Sequence, residues 1–392
     1  MALPTGYLLT SYGEMVNCGP RMSAYAAALK AAITPGCTVL DVGAGSGIFA
    51  LLACQYGAGK VIAVEPNDAI DLLTAAARAN GCADRIDVVK GVSSDLDGSI
   101  RADVIISDLR GCLPLFESHI PAIIDARTRL LAPDGRMIPA RDRLRIAMCS
   151  HAPSRELRDS PWLENDYGLD LSAGHRFAAN HWHKVELGAG DLRSAPQDLA
   201  VLDYRTISDP NLTANASLRA DRPCTVDGLA IWFDSELGDG IGFTNAPGEP
   251  LLVYGQTFFP LEQSVALGEG DRIEFAFRAD LINGSYVYSW DSVVDSGGDD
   301  LHFRQSSFRS RLIPLDQLAA QSIDFVPSVE ERHAVDRFCL GLIDGQRSLG
   351  AIAAEVMANY PTAFATATKA LDHVAKLAQR YHSPRPTRKD AQ

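Results

Sequence analysis

VLDVGAGSGIFALLACQYGAGKVIAVE, residues 39–65, reads as a strand, a glycine-rich turn, a helix and a second strand that ends on a carboxylate. Val39, Leu40 and Val42 favour extended backbone, and Gly43, Gly45 and Gly47 then make a turn in which no Cβ stands between backbone and ligand. The apolar run from Ile48 to Tyr56 suits a buried helix whose N-terminus faces that ligand. Val61, Ile62, Ala63 and Val64 return as a strand. Glu65 follows about 20 residues past the glycines, where the ribose hydroxyls of a nucleoside are gripped. The stretch predicts a nucleotide-type cofactor cradle.

The glycine spacing discriminates between cofactors. A dinucleotide fingerprint G-x-G-x-x-G wants its last glycine at 48, where this chain has Ile48. Asp41 followed by Gly43, Gly45 and Gly47 instead resembles motif I of the class I S-adenosylmethionine-dependent methyltransferases, which have no pyrophosphate to cradle. That resemblance implies S-adenosyl-L-methionine as the cofactor.

Outward from the cradle, α/β alternation continues with a helix over 67–80, strands over 86–90 and 103–107, a helix over 121–131 and a strand over 136–139. Such alternation predicts a mainly parallel sheet with helices on both faces, and its ligand lies at the carboxyl ends of the strands. The loop SDLRGCLPLFES, 107–118, therefore borders the reactive end of the cofactor, with Asp108 and Glu117 at its two ends. Ahead of the cradle, Arg21, Met22, Tyr25, Leu29 and Ala32 give helical spacing in a segment that can serve as a lid. Residues 1–139 are read as one Rossmann-like domain. From 140 to 297 the texture turns to strands, among them 229–233, 251–259 and 272–279, which predicts an antiparallel β-barrel domain. An insertion at about 151–180, with Trp162, Tyr167 and Leu169, is too long for a plain connection and reads as an assembly arm. Residues 298–328 are read as a linker and 329–392 as a small helical domain, with Ser348 as an N-cap.

Composition sets bounds. The chain has 392 residues, 46% apolar and 22% charged, which suits a folded protein of two or three domains. A net charge of −13 argues against general affinity for nucleic acid or anionic membrane and is compatible with a cationic acceptor. The eight cysteines are scattered without a C-x-x-C, so neither a zinc site nor a disulfide framework is expected. No apolar run reaches the ~20 residues of a membrane span and no leader is evident, so the expected location is the cytoplasm.

Several motifs together carry a closer resemblance. VLDVGAGSG with Glu65, the carboxylate loop SDLRGCLPLFES and the stretch WLENDYGLDLS, 162–172, make residues 1 to about 297 similar to the protein arginine methyltransferases. The resemblance implies a homodimer held by the arm, and a cofactor site in which Arg21 pairs with the cofactor's carboxylate. Asp41 and the 43–47 turn would cradle its amino-acid end, Glu65 would hold the ribose, and Ser93 and Ser94 would lie by the adenine. Asp108 and Glu117 would be the catalytic carboxylates, and Met15, His119 and Tyr254 are substrate-site candidates. The chemistry asks for carboxylates independently: a guanidinium stays protonated, so it must be held beside a sulfonium, and anions that fork to its N–H groups offset the repulsion.

This sequence also departs from that family. Asp108 is one methylene shorter than the family's glutamate, and PLLVYGQTFF carries Leu252, Val253 and Tyr254 where the family has a threonine-histidine-tryptophan loop. Cys18 stands where that histidine's aspartate partner belongs, and His119 replaces a methionine, where it could accept a proton. LGLIDGQRSLGAIAAEVMANYP, 340–361, is similar to small winged-helix peptide-binding domains. The expected activity is methylation of a guanidino nitrogen of arginine in a protein or peptide. Two alternatives stay open: a methyltransferase of a small molecule such as free arginine or a natural-product intermediate, and a cofactor-binding or peptide-binding assembly protein with little turnover.

Overall fold

A computed structural model describes residues 7–297, 300–320, 322–328 and 332–381. Helices α1 (Leu9–Asn17) and α2 (Gly19–Ala32) lead into β1 (Thr38–Val42), after which the cradle forms as its sequence implies, with α3 (Ile48–Gln55) and β2 (Lys60–Val64). Then come α4 (Asp71–Ala79), β3 (Ile86–Val89), β4 (Ala102–Ser107), α5 (His119–Leu130) and β5 (Leu131–Ile138). The five strands pair in parallel in the order β3-β2-β1-β4-β5. β1, β2 and β4 are buried along almost their whole length, which is why they read as unbroken apolar runs. Strand order reverses at β1, so a crevice opens past the carboxyl ends of β1 and β4. The glycine turn and the 108–118 loop both leave the sheet there.

The β region follows with β6 (Arg141–Cys149), α6 (Ala152–Asp159), α7 (Ser172–Ala178), β7 (His183–Val185), β8 (Gln197–Asp203) and β9 (Leu212–Arg219). It continues through β10 (Cys224–Gly238), β11 (Ile241–Thr244), β12 (Gln256–Leu267), β13 (Arg272–Ile282), β14 (Ser285–Asp295) and β15 (Leu301–Ser306). These strands make two antiparallel sheets, β7-β12-β10-β6-β8 with β11 on β10, and β15-β14-β13-β9. Phe259, Phe277, Tyr288 and Trp290 fill the core they share, and the Trp290 indole N–H donates to the Pro260 carbonyl at 2.9 Å. The expected closed barrel is not formed among the described residues: β8 and β9, though consecutive, do not pair, and each sheet keeps two edges.

Two further expectations are corrected. The strand expected at 251–259 begins only at Gln256, because a turn closed by the Gly255 N–H to the Leu252 carbonyl, with Gly255 at φ 60°, interrupts the run. β15 lies inside the supposed 298–328 linker, where Phe303 is buried and Gln305 pairs with Trp290. The chain instead divides after Leu312. The second unit begins with the exposed α8 (Leu315–Ala319), and α9 (Arg332–Gly341), α10 (Leu349–Asn359) and α11 (Ala367–Tyr381) pack around Cys339, Ile352, Val356, Ala370 and Val374. Ser348 does cap α10, its hydroxyl accepting from the Ala351 N–H at 3.2 Å. No strand occurs in this unit among the described residues.

In the 151–180 insertion the Trp162 ring lies over Gly174, while Leu157, Leu163, Tyr167 and Leu169 are exposed. All eight cysteines are free, and no helix among the described residues is long and apolar enough to cross a membrane.

Candidate active site

A cavity of about 660 Å³ opens at the crevice, between the glycine turn, α1, the 108–118 loop and the turn before β12. The cradle fits its sequence reading. Gly45 and Gly47 have φ of 55° and 87°, and a Cβ on Gly45 would meet the Tyr12 ring while one on Gly47 would drive into Leu73. The turn thus needs glycine twice over, for its backbone conformation and for its neighbours. Glu65 is nearly buried at the cavity edge, its two oxygens accepting from the Gly45 N–H at 3.0 Å and the Asn67 N–H at 2.9 Å.

Asp41 sits behind the turn rather than in the cavity. Its Oδ2 accepts from the Ala50 N–H at 3.1 Å at the start of α3, and its Oδ1 is buried without a hydrogen-bond partner. Burial pushes this carboxyl up to about 7, with the Ala50 N–H working against the shift. Because the folded-state pKa is raised above the unfolded one, the stability associated with Asp41 is complete below about 4 and is lost as pH rises towards 7. Asp41→Asn should therefore gain on the parent across that window, by up to about 1.4 kcal/mol per pH unit, and run parallel to it above. Urea melts of both proteins at pH 5 and pH 8 measure this, and an equal difference at the two values would contradict it.

The other expected residues divide into three groups. Arg21, Met15, Asp108, Glu117 and Tyr254 all line the cavity. Ser93 and Ser94 lie outside it: Ser93 is buried with its carbonyl accepting from Arg129, and Ser94 faces solvent. His119 is also outside it, on the buried face of α5 with Ile120 and Ile123, its Nε2 3.2 Å from the Tyr204 hydroxyl. Burial, helped by the Arg110 charge, pulls His119 down to about 3, so it is neutral at physiological pH and not placed to take a proton from an acceptor.

The two loop carboxylates stand in different environments. The Asp108 side chain is buried and receives four donors: Arg21 Nε at 2.6 Å, Arg21 Nη2 at 2.5 Å, the Tyr254 hydroxyl at 2.6 Å and Arg110 Nε at 3.1 Å. Burial alone would raise its pKa, but the Arg21 and Arg110 guanidiniums and the Tyr254 hydroxyl outweigh that and hold it at about 2. Glu117 is exposed at the mouth with φ 42°, a left-handed conformation unusual for a residue with a side chain, and no hydrogen bond holds its carboxylate among the described residues.

Sequence reasoning missed Arg110. Its side chain is wholly buried, with Nη1 donating to both oxygens of Asp142 at 2.8 and 3.1 Å and to the Ser235 hydroxyl at 2.7 Å. Nη2 donates to Tyr25, and Asp142 also accepts from Tyr204 at 2.5 Å. One cation thereby ties the loop after β4 to α2, β6 and β10. The available signal was a lone arginine in the loop between the two carboxylates Asp108 and Glu117. Tyr12 and Lys184 were missed as well; both line the cavity, and Lys184 Nζ donates to the Val253 carbonyl at 2.6 Å.

A parallel sheet with this strand order, a glycine turn under a cavity and a carboxylate closing the second strand define a class I S-adenosylmethionine-dependent methyltransferase. A family model described as ribosomal protein L11 methyltransferase (PrmA) matches residues 24–138. The chain is 31% identical over 276 residues to an arginine N(omega)-methyltransferase of Streptomyces achromogenes subsp. streptozoticus, a match covering 66% of this chain and 73% of that one. It is 32% identical over 232 residues to a probable protein arginine N-methyltransferase 6 of Arabidopsis thaliana, covering 57% of this chain and 53% of the relative, so it spans only about half of that protein. The Trypanosoma brucei PRMT1 enzyme-prozyme complex, solved with AdoHcy, has the same fold, with a TM-score of 0.69 at 24% identity over 75% of this chain and 97% of that one. The Arabidopsis thaliana protein arginine methyltransferase 10 superposes with a TM-score of 0.67 at 24% identity, over 76% and 98%. The chain belongs to the arginine N-methyltransferase family.

Proposed function

We propose that this chain transfers the methyl group of S-adenosylmethionine to a guanidino nitrogen of arginine, and that residues 7–139 hold the cofactor while the β region helps hold the acceptor. One observation supports this above the others: the glycine turn with Glu65 and the loop bearing Asp108 and Glu117 open into the same cavity. The cofactor supplies an electrophilic methyl on a sulfonium. The protein's part is positioning and electrostatics. Gly43, Gly45 and Gly47 let the backbone approach the cofactor's amino-acid end, Glu65 takes the ribose, and Arg21 faces its carboxylate. Glu117 holds the acceptor cation in line with the methyl. Bound S-adenosylmethionine would supply the methyl and take back the bonding electrons on sulfur, and Glu117 would be the first acceptor of the proton that the methylated guanidinium gives up.

The acceptor is an arginine of a protein or peptide, or a small guanidino compound. Labelled S-adenosylmethionine incubated with a cell lysate, followed by separation of labelled proteins from labelled small molecules, distinguishes the two. Label in neither fraction would contradict methyl transfer altogether.

We further propose a cytoplasmic homodimer assembled through the insertion. Its Leu163, Tyr167 and Leu169 are exposed apolar side chains that a symmetric contact would cover. Light scattering should give a dimer for the full chain and a monomer for Leu163→Glu/Leu169→Glu; a parent that is already monomeric contradicts this.

A further inference from the structure

The cavity is lined by three carboxylates among the described residues, Glu65, Asp108 and Glu117, and they are not equally free. Each oxygen of Glu65 accepts from one backbone N–H, and what acceptor capacity remains is assigned to the ribose. On Asp108, Oδ2 accepts from Arg21 Nε, from Tyr254 and from Arg21 Nη2, which fills its lone-pair directions, and Oδ1 is turned inward to Arg110. The Asp108 side chain keeps only 4% of its surface exposed. The charges agree with the geometry. Two guanidiniums already flank this one carboxylate, so a third cation brought to it would gain little net attraction. Its shorter side chain also keeps it close to the loop backbone, one methylene further from the mouth than a glutamate would reach. Glu117 is the opposite case: exposed, at the mouth, and uncommitted to any hydrogen bond.

We propose that this enzyme holds its acceptor guanidinium with a single carboxylate, Glu117, and that Asp108 is a positioning residue whose work is to fix Arg21 against the cofactor's carboxylate. Arg110 completes the device by holding the second oxygen of Asp108 while Asp142 balances its own charge. Tyr254 bridges the pair from the β region, donating to Asp108 and accepting from Arg21 Nε at 3.0 Å. The two carboxylates of the loop are therefore divided between the two substrates.

This inference rests on the methyltransferase reading, and its test separates the two. Binding of S-adenosylhomocysteine, followed by calorimetry, reads the Asp108 assignment without any acceptor. Asp108→Asn should weaken it at least tenfold, and Tyr254→Phe, which keeps the ring and the ion pair, about threefold. Glu117→Gln should leave it within twofold. With L-arginine and an arginine-containing peptide as acceptors, Glu117→Gln should lower kcat/KM for the acceptor at least thirtyfold, whereas Asp108→Asn should leave the acceptor KM within twofold of the parent. Asp108→Asn that binds S-adenosylhomocysteine like the parent, or that raises the acceptor KM as Glu117→Gln does, overturns the division. If Asp108→Asn does not fold, Tyr254→Phe decides in the same way: unchanged S-adenosylhomocysteine affinity with a raised acceptor KM is the contrary result. Absence of turnover on either acceptor would count against the acceptor class and leave the calorimetric result standing.

Discussion

Arg110→Met should destabilise the 7–312 unit by about 3–5 kcal/mol, the range for removing one member of a buried ion pair and stranding the other. The side chains of Arg110 and Asp142 are both fully buried. Methionine is of similar length and would keep much of the packing against Phe233 and Phe243, whose rings lie 5.3 Å from the guanidinium. The loss is therefore electrostatic rather than a cavity effect. Asp142 would keep only its hydrogen bond from Tyr204, and Asp108 would still hold Arg21 and Tyr254. A double variant, Arg110→Met with Asp142→Leu, should recover a large part of the loss, because no charge is then left alone in the interior. Chemical denaturation of the parent, the single variant and the double variant tests this. A single-variant cost below about 1 kcal/mol would show that the network does not anchor the loop.

Glu117→Gln should lower the rate of methyl transfer to arginine by the equivalent of about 2–4 kcal/mol of transition-state stabilisation. Glutamine keeps the shape and one acceptor oxygen but removes the charge that offsets a guanidinium beside a sulfonium. It also removes the first acceptor of the departing proton. A neutral acceptor would feel much less of this change. Transfer rates of the parent and Glu117→Gln on arginine therefore report the weight of that charge through one residue. Parent-like turnover of Glu117→Gln on arginine would leave the carboxylate as a solvated rim group.

The parallel half of the fold was legible because its local signals agree. Strand runs buried on both faces, three glycines forced to positive φ and a carboxylate at the end of β2 each constrain the same turn. The β region was legible as strands but not as a closed or open sheet, since closure depends on which edges hydrogen-bond and period-2 alternation is the same in either case. β15 was hidden because Leu301–Ser306 is short and mixes Phe303 and Leu301 with His302, Arg304 and Gln305.

The site shows the same boundary. Gly43, Gly45, Glu65, Asp108 and Glu117 line one cavity because strand order alone brings those loops together, while Asp41 falls behind the turn. The resemblance put His119 in the site in place of a methionine, yet it starts α5 and its side chain falls on the buried face of that helix. Ser93 and Ser94 follow β3, an edge strand away from the switch point, and neither lines the cavity. The Arg110–Asp142 pair joins positions 32 residues apart through tertiary packing, and neither residue carries a local pattern that announces the other.

The central claim is methyl transfer to arginine at this cavity, and the most direct measurement incubates the purified chain with methyl-labelled S-adenosylmethionine and arginine-containing acceptors. The labelled product is then hydrolysed and its amino acids are separated. Label in methylated arginine for the parent, with its amount sharply reduced for Glu117→Gln, is the expected result. Label on another residue or another compound, or equal label from the parent and Glu117→Gln, would contradict the account.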